Sequence, residues 1–432
     1  MKVIRYPKKE KWREITARPI FETKSLERHV ANILSFVKKD GDEAVRHFTK
    51  TLDRAEIADF LVSENEFAEA ETRVSDELKS VIQTAKANIE KFHAFQIEEP
   101  QVIETTEGVF CWRKSVAIEK VGLYIPAGTA PLFSTVLMLA VPAKLAGCRE
   151  IVLCSPPTES GKINSVILYA AKLCGVTKAF KIGGVQAIGA MAYGTQTVPQ
   201  VYKIFGPGNQ FVTEAKQQIS KTGTAIDMPA GPSEVAVLAD ETCVPEFVAA
   251  DLLAQAEHGV DSQVLLITTS EKVVAETNAE LKKQLADLPR RAIAAEALEN
   301  SKAILVENLD EAIELANDYA AEHLIVVTEN ADEVAEKIIN AGSVFIGNFS
   351  CESAGDYASG TNHTLPTGGF AKAFSGVSFD SFVKKITFQK LSKTGISNLG
   401  KTVELMAEAE NLGAHKNSVS IRLKKLAANE DE

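Results

Sequence analysis

From residue 121 onward the chain alternates short β-branched runs with helical stretches, and few folds accept that pattern. A first set of strand-like runs holds Ile151-Val152-Leu153-Cys154, Ala179-Phe180-Lys181-Ile182 and Tyr202-Lys203-Ile204-Phe205. A second set holds Glu234-Val235-Ala236-Val237-Leu238-Ala239, Val264-Leu265-Leu266-Ile267, Ala303-Ile304-Leu305-Val306, Leu324-Ile325-Val326-Val327 and Val344-Phe345-Ile346. Helical stretches lie between most of them. Strands joined through helices pair in parallel and are buried on both faces, which suits continuous apolar runs. The pattern therefore predicts an α/β protein with two α/β domains. Residues 25–95 read as helical and 109–124 as β structure, so the expected division has four parts. Residues 1–24 form an N-terminal arm. Residues 25–120 plus 235–378 make one α/β domain, and 121–234 a second. Residues 379–432 make a C-terminal tail.

Length agrees, since 432 residues suit two or three domains. The formal net charge is −11 and no Lys- or Arg-rich block stands out, which disfavours nucleic acid and anionic membranes as partners. None of the six cysteines forms a CxxC pair and several lie in apolar runs; a reduced, cytoplasmic protein is expected. The first residues contain no apolar core of signal-peptide length. Residues 121–143 carry no charge and are long enough to span a bilayer. Pro126, Pro131, Pro142, Gly122 and Gly128 interrupt them, so they read as a buried strand, loop and helix.

Chemistry-bearing residues gather at segment edges, where scaffolds place function. Gln255-Ala256-Glu257-His258-Gly259 ends an apolar helical run, with Gln255 and His258 three residues apart on one face. That is half of a metal site; taken alone, a solvated helix end accounts for it better. Glu322-His323 puts a carboxylate and an imidazole together just before a strand-like run, a kit for proton transfer or an ordinary helix end. Residues 355–369 read as a structured loop with Asp356 and His363 as candidate ligands or substrate contacts, or as a plain connector. Glu410 and His415 follow a terminal helix and by themselves are unremarkable. Gly206-Pro207-Gly208-Asn209 ends a strand and opens a helix, where backbone N–H groups face outward, as ordinary strand-to-helix turns also do. The dinucleotide fingerprint GxGxxG is absent. Residues 395–402 match the phosphate-loop pattern, but the run before them alternates and carries lysines instead of forming a buried parallel strand, so ATP or GTP binding is rejected.

Taken together the motifs resemble the histidinol dehydrogenase family over nearly the whole chain. The resemblance is carried by Gly122-Leu123-Tyr124-Ile125-Pro126, the run from Pro131 to Leu139, Gly184-Val185-Gln186-Ala187-Ile188 and Phe205-Gly206-Pro207-Gly208-Asn209. It continues through Asp227 to Val235, Gln255 to Gly259, Glu322-His323-Leu324, Ala354 to Pro366 and His415-Lys416-Asn417. No motif position departs from the pattern. It implies incomplete Rossmann-like sheets, a C-terminal tail that dimerises, and oxidation of L-histidinol to L-histidine through the aldehyde with two NAD. By the same resemblance one zinc per subunit is held by Gln255, His258, Asp356 and His415, the last from the partner subunit of a homodimer. Substrate contacts would be Ser233, Gln255, His258, His323, Asp356, Glu410 and His415. NAD contacts would be Tyr124, Gln186 and Asn209, and Glu322 with His323 would move protons. Two imidazoles, a carboxylate and an amide oxygen make an N/O set suited to zinc. Three other readings compete: a zinc amidohydrolase, a cysteine-dependent aldehyde dehydrogenase with Cys351 as nucleophile, and a regulatory protein that binds NAD or metal without turnover.

Overall fold

In the computed structural model, which describes residues 1–19, 23–127 and 130–428, the chain forms two units. One comprises Met1–Gln96 with Ile118–Phe382, the other Ile97–Ala117 with Val383–Glu432. In chain order the strands are β1 (Lys2–Arg5), β2 (Val102–Thr106), β3 (Val109–Ala117), β4 (Lys120–Tyr124), β5 (Glu150–Ser155), β6 (Lys178–Lys181) and β7 (Lys203–Phe205). They continue as β8 (Ala225–Ile226), β9 (Glu234–Ala239), β10 (Gln263–Thr268), β11 (Lys302–Leu305), β12 (His323–Val327), β13 (Ser343–Ile346) and β14 (Val383–Leu391).

Two wholly parallel sheets frame the first unit. One is ordered β6-β5-β4-β7-β8, the other β1-β11-β10-β9-β12-β13. Setting β1 aside, both wind alike: two strands are laid to one side of the first, then two to the other. Each thus has a switch point beside its first strand, between β4 and β7 and between β9 and β12. Runs such as Ile151-Val152-Leu153-Cys154 are apolar throughout because helices cover both faces, and all four side chains are buried. The uncharged run after residue 121 is β4 followed by the helix Phe133–Ala146, which is buried all round and contains Pro142. Among the described residues no helix is long and apolar enough to cross a membrane. All six cysteines are free thiols; four are buried and Cys351 is exposed.

Three of the expected boundaries shift. The amphipathic helices Thr23–Asp40, Asp42–Leu52, Glu64–Arg73 and Asp76–Ala94 pack on the β6-β5-β4-β7-β8 sheet, not with residues 235–378. Val30, Ile33 and Val37 share a core with Val152 and Phe180, and Ile82 and Ile89 share one with Val121 and Leu123. An apolar stripe requires a partner surface but does not say which one. The N-terminal stretch begins as a strand instead of an arm: β1 pairs in register with β11, and Trp12 is buried in the same half. Four residues are too few to show a period. Residues 97–117 leave the first unit altogether, because β2 and β3 join β14 in an antiparallel sheet of order β14-β3-β2.

The second unit adds the helices Lys393–Ala409 and Gly413–Ala428. The phosphate-loop match falls inside the first of these, with Ser392 capping its N-terminus, so no loop exists there to cradle a phosphate. At the carboxyl end of β9, Asp240 satisfies the surrounding turns itself. Its Oδ1 accepts from the Thr242 N–H at 2.9 Å and hydroxyl at 2.6 Å, and its Oδ2 from the Glu329 N–H at 2.8 Å.

Candidate active site and cofactor crevice

At the amino edge of the β9–β12 pair, six side chains of the first unit converge. His323 is the first residue of β12 and Glu322 immediately precedes it. The helix Pro245–Ala256, started by proline at its first position, ends beside them and delivers buried Gln255, with His258 just beyond its C-cap. After β13 the chain turns into the helix Glu352–Tyr357, which sets Glu352 and Asp356 four residues apart on one face. Asp356 therefore sits on a helix, where the sequence suggested a loop; three glycines between 355 and 368, the first of them inside the helix, masked this single turn and a half.

His323 is buried among carboxylates. Its Nδ1 lies 3.8 Å from both Glu322 Oε2 and Glu352 Oε1, and its Nε2 lies 3.4 Å from Asp356 Oδ1. Neither ring nitrogen has a well-aligned hydrogen bond among the described residues. Burial pushes the imidazolium pKa down, yet Glu352, Glu322 and Asp356 together carry it up to about 10. Burial raises Glu322 and Glu352 to about 8 each against the pull of His323. Asp356 goes the other way: its burial is outweighed by His323, and its carboxyl is held below the ordinary range.

A second layer fixes this group. Glu322 Oε2 accepts from the Glu234 N–H at 3.0 Å, at the start of β9. Gln255 is satisfied with its amide nitrogen donating to Glu352 Oε1 and its oxygen accepting from the same Glu234 N–H at 2.8 Å. The Glu234 side chain faces the opposite way, gripped through both oxygens by Arg18, one bond being 2.8 Å. Arg18 also donates to the Tyr319 carbonyl at 2.8 Å and lies over the Tyr319 ring at 4.1 Å. His363 Nδ1 bonds the Asp356 carbonyl at 2.9 Å, so Nδ1 carries the proton and Nε2 accepts from the Thr135 hydroxyl at 3.1 Å.

The ligand atoms of His258, Glu352 and Asp356 lie within 4.8 Å of one another. Glu352 Oε2 is buried without a hydrogen-bond partner among the described residues, while His258 is exposed and opens the cluster to solvent. One imidazole with two carboxylates is a donor set that suits zinc. Of the residues singled out in the sequence, Gln255, His258, Glu322, His323 and Asp356 are brought together, and Ser233 immediately precedes β9 at the same edge. Glu410 and His415 belong to the second unit, as the C-cap of the helix Lys393–Ala409 and in the first turn of Gly413–Ala428. Glu352 escaped the sequence reading. Its signal was a carboxylate four residues ahead of Asp356, visible only once that stretch is known to be helical.

The other three singled-out residues lie at the carboxyl edge of the five-stranded sheet. Tyr124 ends β4 and its hydroxyl accepts from the Gly184 N–H at 3.1 Å. Gln186 is fully buried in the first turn of the helix Gly184–Tyr193 and donates from Nε2 to Asp53 Oδ2 at 2.9 Å. Burial pushes the Asp53 carboxyl up to about 6 against its hydrogen bonds from Gly183 and Gln186. Asn209 caps the helix Gln210–Ser220, accepting from the N–H groups of Phe211 and Val212 at 3.1 and 3.2 Å. The turn before it is held from below. Buried Lys216 reaches both the Gly206 carbonyl, at 2.8 Å, and Asp227, at 2.5 Å, and Asp227 accepts the Gly206 N–H at 2.8 Å. Gly206 has φ +127°, and any Cβ there would lie 2.1 Å from the Tyr124 carbonyl oxygen.

Two doubly wound parallel sheets, one edged by a histidine–carboxylate cluster and the other by the glycine turn at residues 206–208, are the architecture of α/β enzymes of dinucleotide-fold type. A family model described as histidinol dehydrogenase matches residues 16–423, and the chain belongs to that family. The chain is 62% identical to the histidinol dehydrogenase of Bacteroides thetaiotaomicron over 426 residues, covering 99% of this chain and 100% of that one. It is 51% identical to that of Escherichia coli over 420 residues, 96% of each chain. The crystal structure of histidinol dehydrogenase from Elizabethkingia anophelis is 55% identical and superimposes with a TM-score of 0.97 over 99% of both chains.

Proposed function

We propose that this chain is an NAD-dependent oxidoreductase that converts L-histidinol to L-histidine through L-histidinal, in two oxidations, with zinc bound at the amino-edge cluster. The observation that carries the reading is the convergence of His258, Glu352 and Asp356 beside the Glu322–His323 pair. Gln255, His258 and Asp356 would hold the ion, with His415 supplied by the partner subunit of a homodimer. When bound, zinc supplies a charge that offsets the carboxylates around His323 and a point on which the substrate's imidazole and amine are oriented. NAD, seated by Tyr124, Gln186 and Asn209, supplies the hydride acceptor for each step.

The chain's own residues do the proton chemistry. His323, buried with both ring nitrogens free of aligned hydrogen bonds among the described residues, takes the alcohol proton as the first oxidation proceeds. Glu322, anchored through one oxygen by the Glu234 N–H, takes a proton from water as the water adds to the aldehyde. The resulting hydrate presents a hydroxyl again, and His323 serves a second time. Ser233, Glu410 and the ligand residues complete the substrate contacts. Holding one carbon in place through both steps limits escape of the aldehyde.

The test is zinc-reconstituted protein with histidinol and NAD, following product and NADH together. Two NADH per histidine formed is the expected result. Amide hydrolysis without NADH would give the site to an amidohydrolase, a reading that the relatives named above do not support.

A further inference from the structure

Glu352 stands in the zinc-suited cluster but is neither one of the proposed ligands nor a proton carrier, although no side chain there is more completely enclosed: it is 1% exposed. It sits at the first position of its helix, after exposed Cys351, and points inward. Its two oxygens differ. Oε1 takes the Gln255 amide nitrogen and lies 3.8 Å from His323 Nδ1. Oε2 is buried with no hydrogen-bond partner among the described residues. A buried carboxylate oxygen left unpaired is expensive, and such a group normally has a cation or a donor to answer it.

The consequence for Gln255 is specific. An amide has a donor end and an acceptor end, and only the oxygen can bind a metal. An ionised carboxylate accepts only, and with a cation bound beside it to keep it ionised Glu352 fixes the amide nitrogen on its own side. The Glu234 N–H takes one lone pair of the amide oxygen, at 2.8 Å, and leaves the other. Without Glu352 the Glu234 N–H alone would hold the amide against turning its nitrogen toward the ion.

We propose that Glu352 is a positioning residue of the metal site: through Oε1 it holds the Gln255 amide with its oxygen available to zinc, and the charge on the same group strengthens the site. This rests on the zinc reading of the cluster. Outer residues that orient metal ligands typically change affinity about 10- to 100-fold when removed.

The test measures zinc affinity, by competition with a chromophoric chelator, on the full-length protein. Glu352→Ala should weaken zinc binding about 100-fold, and Glu352→Gln, which can still turn an oxygen toward the Gln255 amide, about tenfold or less. The double variant Glu352→Ala with Gln255→Ala should bind zinc no more weakly than Gln255→Ala by more than the loss seen in Glu352→Gln. Full additivity of the two alanine variants would overturn the positioning role, as would zinc affinity within twofold of the parent in Glu352→Ala. Circular dichroism and melting on each variant separate misfolding from loss of metal, and Glu352→Gln carries the test if the alanine variant does not fold. Zinc binding that survives His258→Ala unchanged would instead remove the metal site itself, a failure distinct from that of Glu352.

Discussion

The two parallel sheets of the first unit share one winding order but present their candidate chemistry at opposite edges. In the β6-β5-β4-β7-β8 sheet it lies at the carboxyl edge, with Tyr124, Gln186 and Asn209. In the sheet built around β9 it lies at the amino edge, where His323 opens β12 and the Glu234 N–H opens β9. Helix polarity explains the choice. In a strand–helix repeat, helices begin at the carboxyl edge and end at the amino edge, so the first edge attracts anions and the second cations. The helices Phe133–Ala146, Gly184–Tyr193 and Gln210–Ser220 follow β4, β6 and β7 and so start at that carboxyl edge. The helices Pro245–Ala256 and Leu309–Tyr319 both finish at the His323 cluster. A dinucleotide brings phosphates and suits the first; zinc suits the second. At the carboxyl edge of the second sheet Asp240 already sets a carboxylate against the N–H groups at the switch point.

If the two edges are separate instruments, substitutions at one should leave the other intact. The largest expected effect is that of His323→Ala, which should slow alcohol and aldehyde oxidation each by about 10³-fold, within the usual range for a general base. NADH affinity, read by fluorescence titration, should stay within about twofold of the parent; a joint loss would merge the two edges into one site. Lys216→Met leaves Asp227 buried and unpaired, and should cost about 3–5 kcal/mol in urea unfolding. Zinc content per folded chain should not change. Glu322→Gln should slow aldehyde oxidation about 100-fold and alcohol oxidation less than tenfold, measured with each substrate in single turnover. Equal losses would deny it the water-activating role. Asp53→Ala releases the Gln186 amide and should raise the KM for NAD about tenfold with kcat nearly unchanged. A fall in kcat at saturating NAD would place Asp53 elsewhere in the cycle.

Much of this was legible in the sequence because parallel strands buried on both faces leave continuous apolar runs. Ile151 to Cys154 and Leu324 to Val327 announce themselves that way. The cluster was legible too, residue by residue, because Gln255, His258, Glu322, His323 and Asp356 stand in motifs that resemble one family. Packing between distant elements was not. Nothing in the stripe of Val30, Ile33 and Val37 says which sheet it covers, and that choice is what brings Asp53 to Gln186. Antiparallel pairing of β14 with β3 joins residues some 270 positions apart, beyond any local signal. Glu352 and Arg18 were hidden for a related reason: each acts through a neighbour, and a residue that holds another side chain leaves no spacing of its own.

His363 ties together the halves of the first unit, one hydrogen bond reaching the main chain of Asp356 and the other the helix that follows β4. If the halves part by more than about an ångström, the 3.1 Å bond to Thr135 leaves hydrogen-bond range. The ring is then a strain gauge between the two sheets. A nitrogen-labelled His363 should report, by its imidazole chemical shifts, each change in the spacing of the two halves during a catalytic cycle.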